Sequence, residues 1–149
     1  MKLHKDWREF IECLNAAGVR YVVVGGIAVG FHGYPRMTGD IDFFVEPTPE
    51  NARRILGVLS RFGFTDIGVS ESDLSGPDQV VQLGRPPVRI DLMTSVDQVS
   101  FDEAWASRVA SALDGVTVSF ISRDLLLRNK KATGRTRDRG DYDELTGAT

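Results

Sequence analysis

Trp7, Phe10, Ile11 and Leu14 recur at i, i+3, i+4 and i+7, the spacing of one apolar helix face, and predict an amphipathic helix over residues 5–17 that Gly18 stops. Tyr21-Val22-Val23-Val24 follows as a β-branched run cut off by Gly25-Gly26, which reads as a buried strand entering a tight turn. A second strand is expected over 41–45. Thr48-Pro49-Glu50 then opens a helix running to about Phe62, with Thr48 as N-cap and Pro49 in the first turn. Residues 63–69, 78–83, 88–92 and 116–120 read as further strands. Ser122 caps a Leu-rich helix with an Ile121 to Leu126 staple. Past a bend at Gly134, a last short helix is expected over 138–145. The polar run Ser70 to Pro77 reads as a loop. Phe62, Phe64, Trp105 and Phe120 are core candidates. The irregular alternation of short strands with helices predicts an α+β fold, a mixed sheet flanked by helices.

Composition sets limits on this picture. The chain has 149 residues, 42% hydrophobic and 26% charged, with 18 Lys and Arg against 21 Asp and Glu. That size fits a single domain over 1–149, able to bury roughly 70% of its unfolded surface without a staple. Cys13 can form neither an internal bridge nor a cysteine zinc site, and with Phe10 and Leu14 as helix neighbours it reads as a small hydrophobe. A reducing, cytoplasmic location is expected, with no membrane insertion, because no apolar run approaches the ~18 residues a span needs. There is no Gly-x-x-x-x-Gly-Lys-Ser/Thr, which excludes a P-loop NTPase, and no Ser, His and Asp arrangement of a hydrolase.

The chemistry concentrates between Val24 and Phe43. On a strand, residues i and i+2 share a face, so Asp40 and Asp42 point together while Ile41, Phe43 and Val45 point the other way. Paired carboxylates repel unless a hard divalent cation sits between them or one is protonated. Val88-Arg89-Ile90-Asp91-Leu92 repeats the pattern with one acid, and pairing of this strand beside the first would bring three carboxylates together. Three acids suit two metal ions about 3.5 to 4 Å apart, which clamp the attacking and leaving oxygens of a phosphoryl displacement. Gly25-Gly26, without side chains, would let backbone N–H groups approach a triphosphate. His32, beside Phe31 and Tyr34, reads as a packing or hydrogen-bonding residue.

The glycine pair followed by Asp40-Ile41-Asp42-Phe43 resembles the signature of the nucleotidyltransferase superfamily with a DNA polymerase beta-like catalytic core. Arg36-x-Thr38-x-Asp40-Ile41-Asp42 resembles, more closely, the small bacterial nucleotidyltransferases related to AbiEii-type toxins. Leu126 to Asp141, with Lys130 on a helix followed by Arg135-x-Arg137-Asp138-x-x-Asp141, is similar to the family's lysine helix and its Arg-x-Lys-Asp-x-x-Asp segment. The resemblance implies the nucleotidyltransferase fold and Mg²⁺-dependent transfer of an NMP from an NTP such as ATP to an acceptor hydroxyl, with pyrophosphate released. It implies that Asp40, Asp42 and Asp91 hold two Mg²⁺ ions and carry the catalysis. Gly25, Gly26 and Lys130 would meet the phosphates, Arg36 and Thr38 would line their path, and Arg135 with Asp138 would support that region. Arg137 stands where the family often has Lys, keeping charge but changing geometry.

The acceptor implied is an RNA end such as tRNA, or a protein, and a toxin–antitoxin setting with a cognate antitoxin follows from the same resemblance. Two other readings remain: a catalytically silent nucleotide-binding or antitoxin-like module, and a small-molecule (antibiotic) nucleotidyltransferase. The formal charge of -3 conceals an uneven distribution. Between Arg123 and Arg139 seven bases stand against two acids, which leaves -8 on the rest and places a basic strip where a triphosphate or an RNA end would need one.

Overall fold

The Tyr21–Val24 run forms β1, buried along its whole length, and the fold is assembled outward from it. In the computed structural model, which describes residues 2–35, 37–64, 67–133 and 135–147, β1 pairs antiparallel with β2 (Asp40–Val45) and parallel with β6 (Val116–Phe120). β2 pairs parallel with β4 (Arg89–Met93), which pairs antiparallel with β3 (Val80–Leu83). On the other side β6 carries β5 (Val109–Leu113). The result is one six-stranded mixed sheet of order β3-β4-β2-β1-β6-β5, the α+β architecture the alternation predicts. No helix among the described residues is long and apolar enough to cross a membrane.

Helices α1 (Lys5–Ala16) and α3 (Pro49–Arg61) bury the faces their periodicity marks: Trp7, Phe10, Ile11 and Leu14 on one, Ile55, Val58 and Leu59 on the other. Phe10 packs against Phe43 and Phe62 with ring centroids 5.6 and 5.5 Å apart, which puts these helices on the Phe43 side of the sheet. Thr48 caps α3 by accepting the Asn51 N–H at 3.3 Å. Asn51, 1% exposed, accepts the Arg20 N–H and donates to the Arg20 and Glu46 carbonyls, so its buried amide is paired while it ties α3 to the β1 and β2 ends. The opposite face carries Phe44 against Phe101, and Asp40 and Asp42 project on that side.

Helix α2 (Gly25–Phe31) starts directly at the end of β1. Its Phe31 ring stacks on Phe120, centroids 3.9 Å apart, and His32 bonds the Ile121 carbonyl through Nε2 at 2.7 Å, the structural part expected of it. Ser122 accepts the Leu125 N–H at the start of α6 (Arg123–Thr133), and α7 (Thr136–Thr146) ends the fold at a left-handed Gly147. Cys13 is half-buried against the core, as is Trp105, whereas Phe120 is fully enclosed.

Three expectations need correction. No strand forms among the described residues of 63–69. Gly63 and Gly68 take φ of +90° and +74°, left-handed values that break an extended chain, and Thr65 and Asp66 lie outside the described residues. The polar run at 70–77 contains a short helix, α4 (Glu71–Ser75), capped by Asp73 accepting the Ser70 N–H at 2.8 Å and pinned by the buried Leu74. Residues 101–113, given no element by the sequence pattern, form α5 (Phe101–Ala106) and β5. Both carry signals in retrospect. Ser100 and Glu103 make a reciprocal capping box, and Asp114-Gly115, both at positive φ, form the tight turn between β5 and β6.

Candidate active site

Register brings the acids together. In the parallel β2–β4 pair Asp42 stands beside Asp91 and Asp40 beside Arg89, so one oxygen from each of Asp40, Asp42 and Asp91 lies within 4.8 Å of the others. Asp91 is 5% exposed, while Asp40 and Asp42 are half-buried at the floor of a cleft of about 470 Å³. Gly25 closes one side. Its φ is +67°, and a Cβ built there would overlap the Asp42 carboxylate, so both backbone conformation and space demand glycine.

Burial, with the negative charge of Asp40 next, pushes the Asp42 carboxyl up to about 8. Asp40 behaves oppositely. Burial opposes its ionisation, but the Thr38 hydroxyl, donating to Oδ1 at 2.9 Å, and the Arg89 guanidinium outweigh it and hold the carboxyl below its ordinary range. Burial, and next the neighbouring carboxylates, thus set one acid that is hard to ionise beside one that ionises readily. Three hard oxygen donors on two adjacent strands fit a divalent cation of the Mg²⁺ type.

Arg89 also lines the candidate site, and the sequence reading passed it over. Its Nε donates to Asp91 Oδ1 at 3.0 Å, and Nη2 donates to Asp91 Oδ2 at 3.1 Å and to Asp40 Oδ2 at 3.2 Å. It therefore bridges two members of the triad and fixes both Asp91 oxygens. The signal was present, since Arg89 and Asp91 are i and i+2 on a strand, but its reach to Asp40 follows only from the β2–β4 register.

The opposite wall comes from α6 and α7. Lys130, 5% exposed, donates to Asp138 Oδ1 at 2.7 Å and pairs with Asp141 at 3.3 Å. Asp138 also accepts from Thr133 at 2.6 Å and from the Arg135 Nε at 2.7 Å. Burial opposes ionisation of Asp138, yet the bonds from Lys130 and Thr133 prevail and bring its carboxyl to about 2. Gly25, Gly26, Thr38, Asp40, Asp42, Asp91, Lys130 and Arg135, all named from sequence, line this one cleft. Arg36 lies outside the described residues. Arg137 and Asn129 also line it, with Asn129 donating to the Asp97 carbonyl at 3.1 Å.

The basic strip looks different once folded. Arg123 donates to the Leu145 carbonyl, Arg128 pairs with Glu103 at 2.9 Å, and Lys130 and Arg135 hold the α6–α7 carboxylates. Arg123, bonded to a neutral carbonyl, and Lys131, Arg137 and Arg139 are left without an ion pair among the described residues.

A family model described as nucleotidyl transferase of unknown function (DUF2204) matches residues 3–147. No curated protein matches the sequence at a significant level. Among solved structures, a Thermotoga maritima protein assigned to the nucleotidyltransferases superposes with a TM-score of 0.62 at 16% identity, over 96% of this chain and 91% of that one. An antigenic nucleotidyltransferase-like protein from Paracoccidioides brasiliensis superposes at 0.61 with 20% identity, over 95% and 74%. The lincosamide antibiotic adenylyltransferase LnuA, with lincomycin bound, superposes at 0.64 with 14% identity, over 99% of both chains. At these identities the likeness shows the nucleotidyltransferase fold.

Proposed function

The chain belongs to the nucleotidyl transferase family whose model it matches over residues 3–147, and on that premise we propose that it transfers an NMP from an NTP such as ATP to an acceptor hydroxyl. The observation that carries this reading is the convergence of Asp40, Asp42 and Asp91 within 4.8 Å, facing Gly25. In the step proposed, the acceptor oxygen bonds to the α-phosphorus, the bond from that phosphorus to the bridging oxygen breaks, and pyrophosphate leaves with the electron pair. Asp91 faces the attacking hydroxyl and takes its proton once Arg89 turns aside. Gly25 and Gly26 give the phosphates room to approach the backbone. Arg137 supplies positive charge, and Lys130 and Arg135 lend theirs from within their ion pairs. Two Mg²⁺ ions held by Asp40, Asp42 and Asp91 would offset the phosphate charge and align the two oxygens. Catalysis of this kind is positioning and charge neutralisation.

An RNA end, a protein or a small molecule could carry the hydroxyl, and the first two would suit a toxin held by a cognate antitoxin. The test is to incubate the protein with each α-labelled NTP and Mg²⁺ and offer bulk tRNA, protein lysate and small-molecule alcohols in turn. Label should pass to one acceptor class and vanish in Asp40→Ala and Asp42→Ala. Full Mg²⁺-dependent turnover in those variants would refute the assignment. NTP binding without transfer to any acceptor would favour a silent nucleotide-binding module.

A further inference from the structure

A second cleft, of about 550 Å³, adjoins the acidic one and shares Gly26 and Thr38 with it. Its walls are Trp7, Ile27, Phe31, Pro35 and Leu113, and Lys2 is the charged residue among the described residues that line it. We propose that this apolar cleft seats the acceptor, and that the acceptor is a small molecule with an apolar body and a hydroxyl group. The inference rests on the nucleotidyl-transfer reading above and adds the substrate class.

The argument begins with the division of chemistry between the clefts. The acidic cleft carries the carboxylate triad together with Arg89, Lys130, Arg135 and Arg137, the groups that metal-bound phosphates require. An NTP would take up most of its roughly 470 Å³, so the acceptor must enter from a neighbouring surface. The adjoining cleft touches it at Thr38, whose hydroxyl is bonded to Asp40. A molecule lying in the apolar cleft with its hydroxyl over Gly26 and Thr38 therefore presents that oxygen beside the triad. There it forms the bond to the α-phosphorus as pyrophosphate leaves and the hydroxyl proton passes to Asp91.

Wall chemistry then selects the class. Sites of roughly 300–1,000 Å³ lined by apolar and aromatic side chains, with few polar groups, take drug-sized ligands. Among the described residues the lining has no carboxylate to hold a polycation such as an aminoglycoside. Among the described residues it has no cluster of cations to hold a phosphate backbone, and in the strip that could do so Lys130 and Arg135 are paired with Asp138, Arg128 with Glu103, and Arg123 is bonded to the Leu145 carbonyl. Trp7, 5% exposed, offers no open ring face for base stacking. Its indole N–H is buried without a hydrogen-bond partner among the described residues. Met37, 96% exposed on the loop that carries Thr38, adds apolar surface near the junction.

The probe for the test is 2-(2-naphthyl)ethanol, a neutral fluorescent alcohol, titrated into the full-length protein. Saturable binding is expected, weakened at least about tenfold by Leu113→Glu and by Pro35→Glu on the exposed loop, with Mg²⁺–ATP binding retained in both variants. With α-labelled ATP and Mg²⁺ the probe should accept label, and Pro35→Glu should raise its KM far more than it lowers kcat. Absence of saturable binding, or binding indifferent to both substitutions, overturns the inference. Label passing to tRNA or protein while the probe stays unlabelled also overturns it and leaves nucleotidyl transfer standing. Binding sensitive to both substitutions, with no transfer to any acceptor, supports the cleft as a ligand site and overturns the transfer reading instead.

Discussion

Asp42 and Gly25 compete for one space: the carboxylate lies where a glycine side chain would begin, and Gly25 holds a φ of +67°. Gly25→Ala therefore carries a left-handed penalty of about 1–2 kcal/mol and displaces Asp42 besides. We expect a lower melting temperature and a fall of at least about 100-fold in nucleotidyl transfer, the usual scale for a misplaced reacting group. Wild-type kinetics in Gly25→Ala would show that Asp42 is not a positioned ligand. Arg89 makes the reverse case, since the guanidinium already offsets two of the three acids. Arg89→Gln should lower stability without metal and enlarge the rise in melting temperature that Mg²⁺ produces, because the cation then meets uncompensated charge; an unchanged Mg²⁺ response would contradict this. The triad was legible because alternation along a strand fixes which side chains share a face. Arg89 was not, because its contact with Asp40 joins residues 49 positions apart.

At the scale of elements, α6 and α7 are joined through one buried knot of charge in which Asp138 accepts from Lys130, Thr133 and Arg135. Removing one partner of a buried pair strands the other, typically at about 3–5 kcal/mol; here Asp141 still pairs Lys130, so Asp138→Asn should cost about 2–3 kcal/mol and open α7 to hydrogen exchange before the sheet. The pH dependence has a definite sign. Asp138 in the fold titrates near 2, below its ordinary 3.8, so its contribution is complete above about pH 4 and is lost as pH falls through about 2. Urea midpoints measured from pH 5 down to pH 2 should fall more steeply for wild type than for Asp138→Asn, and parallel curves would refute the role. Helices α1, α3 and α6 were readable from period and caps. What failed locally were 63–69, where apolar alternation was overruled by left-handed glycines, and 70–77, where one buried Leu74 turns a polar run into a helix. β5, with its Val-Ala-Ser-Ala-Leu sequence at the sheet edge, had too little alternation to be seen, although the Asp-Gly turn after it marked a hairpin.

For the molecule as a whole, charge is the property that folding reinterprets most. Read along the chain, Arg123 to Arg139 is a net +5 strip inviting a phosphate backbone. Folded, Lys130 is buried against Asp138 and Asp141, while Arg123, Arg128 and Arg135 contact Leu145, Glu103 and Asp138 nearer the surface. A cation already paired with a carboxylate of its own chain contributes less when a nucleic acid docks, so the unpaired cations supply most of the salt-dependent part of RNA affinity. Arg123, Lys131, Arg137 and Arg139 remain from the strip, on a chain of formal charge -3. We therefore expect bulk tRNA to bind more weakly than about 10 μM at 0.15 M salt, with a shallow dependence of log K on log salt set by about four contacts. An equilibrium titration of labelled tRNA between 0.05 and 0.2 M NaCl, roughly the range over which phosphate contacts register, measures both. Sub-micromolar affinity with a steep slope would mean that Arg128 and Arg135 leave Glu103 and Asp138 for phosphate, and Arg128→Gln, which removes one such cation without touching the acidic cleft, would then lower the slope by about one. A shallow slope unchanged in Arg128→Gln places the strip within the architecture of the fold and leaves acceptor choice to the surfaces around Gly26 and Thr38.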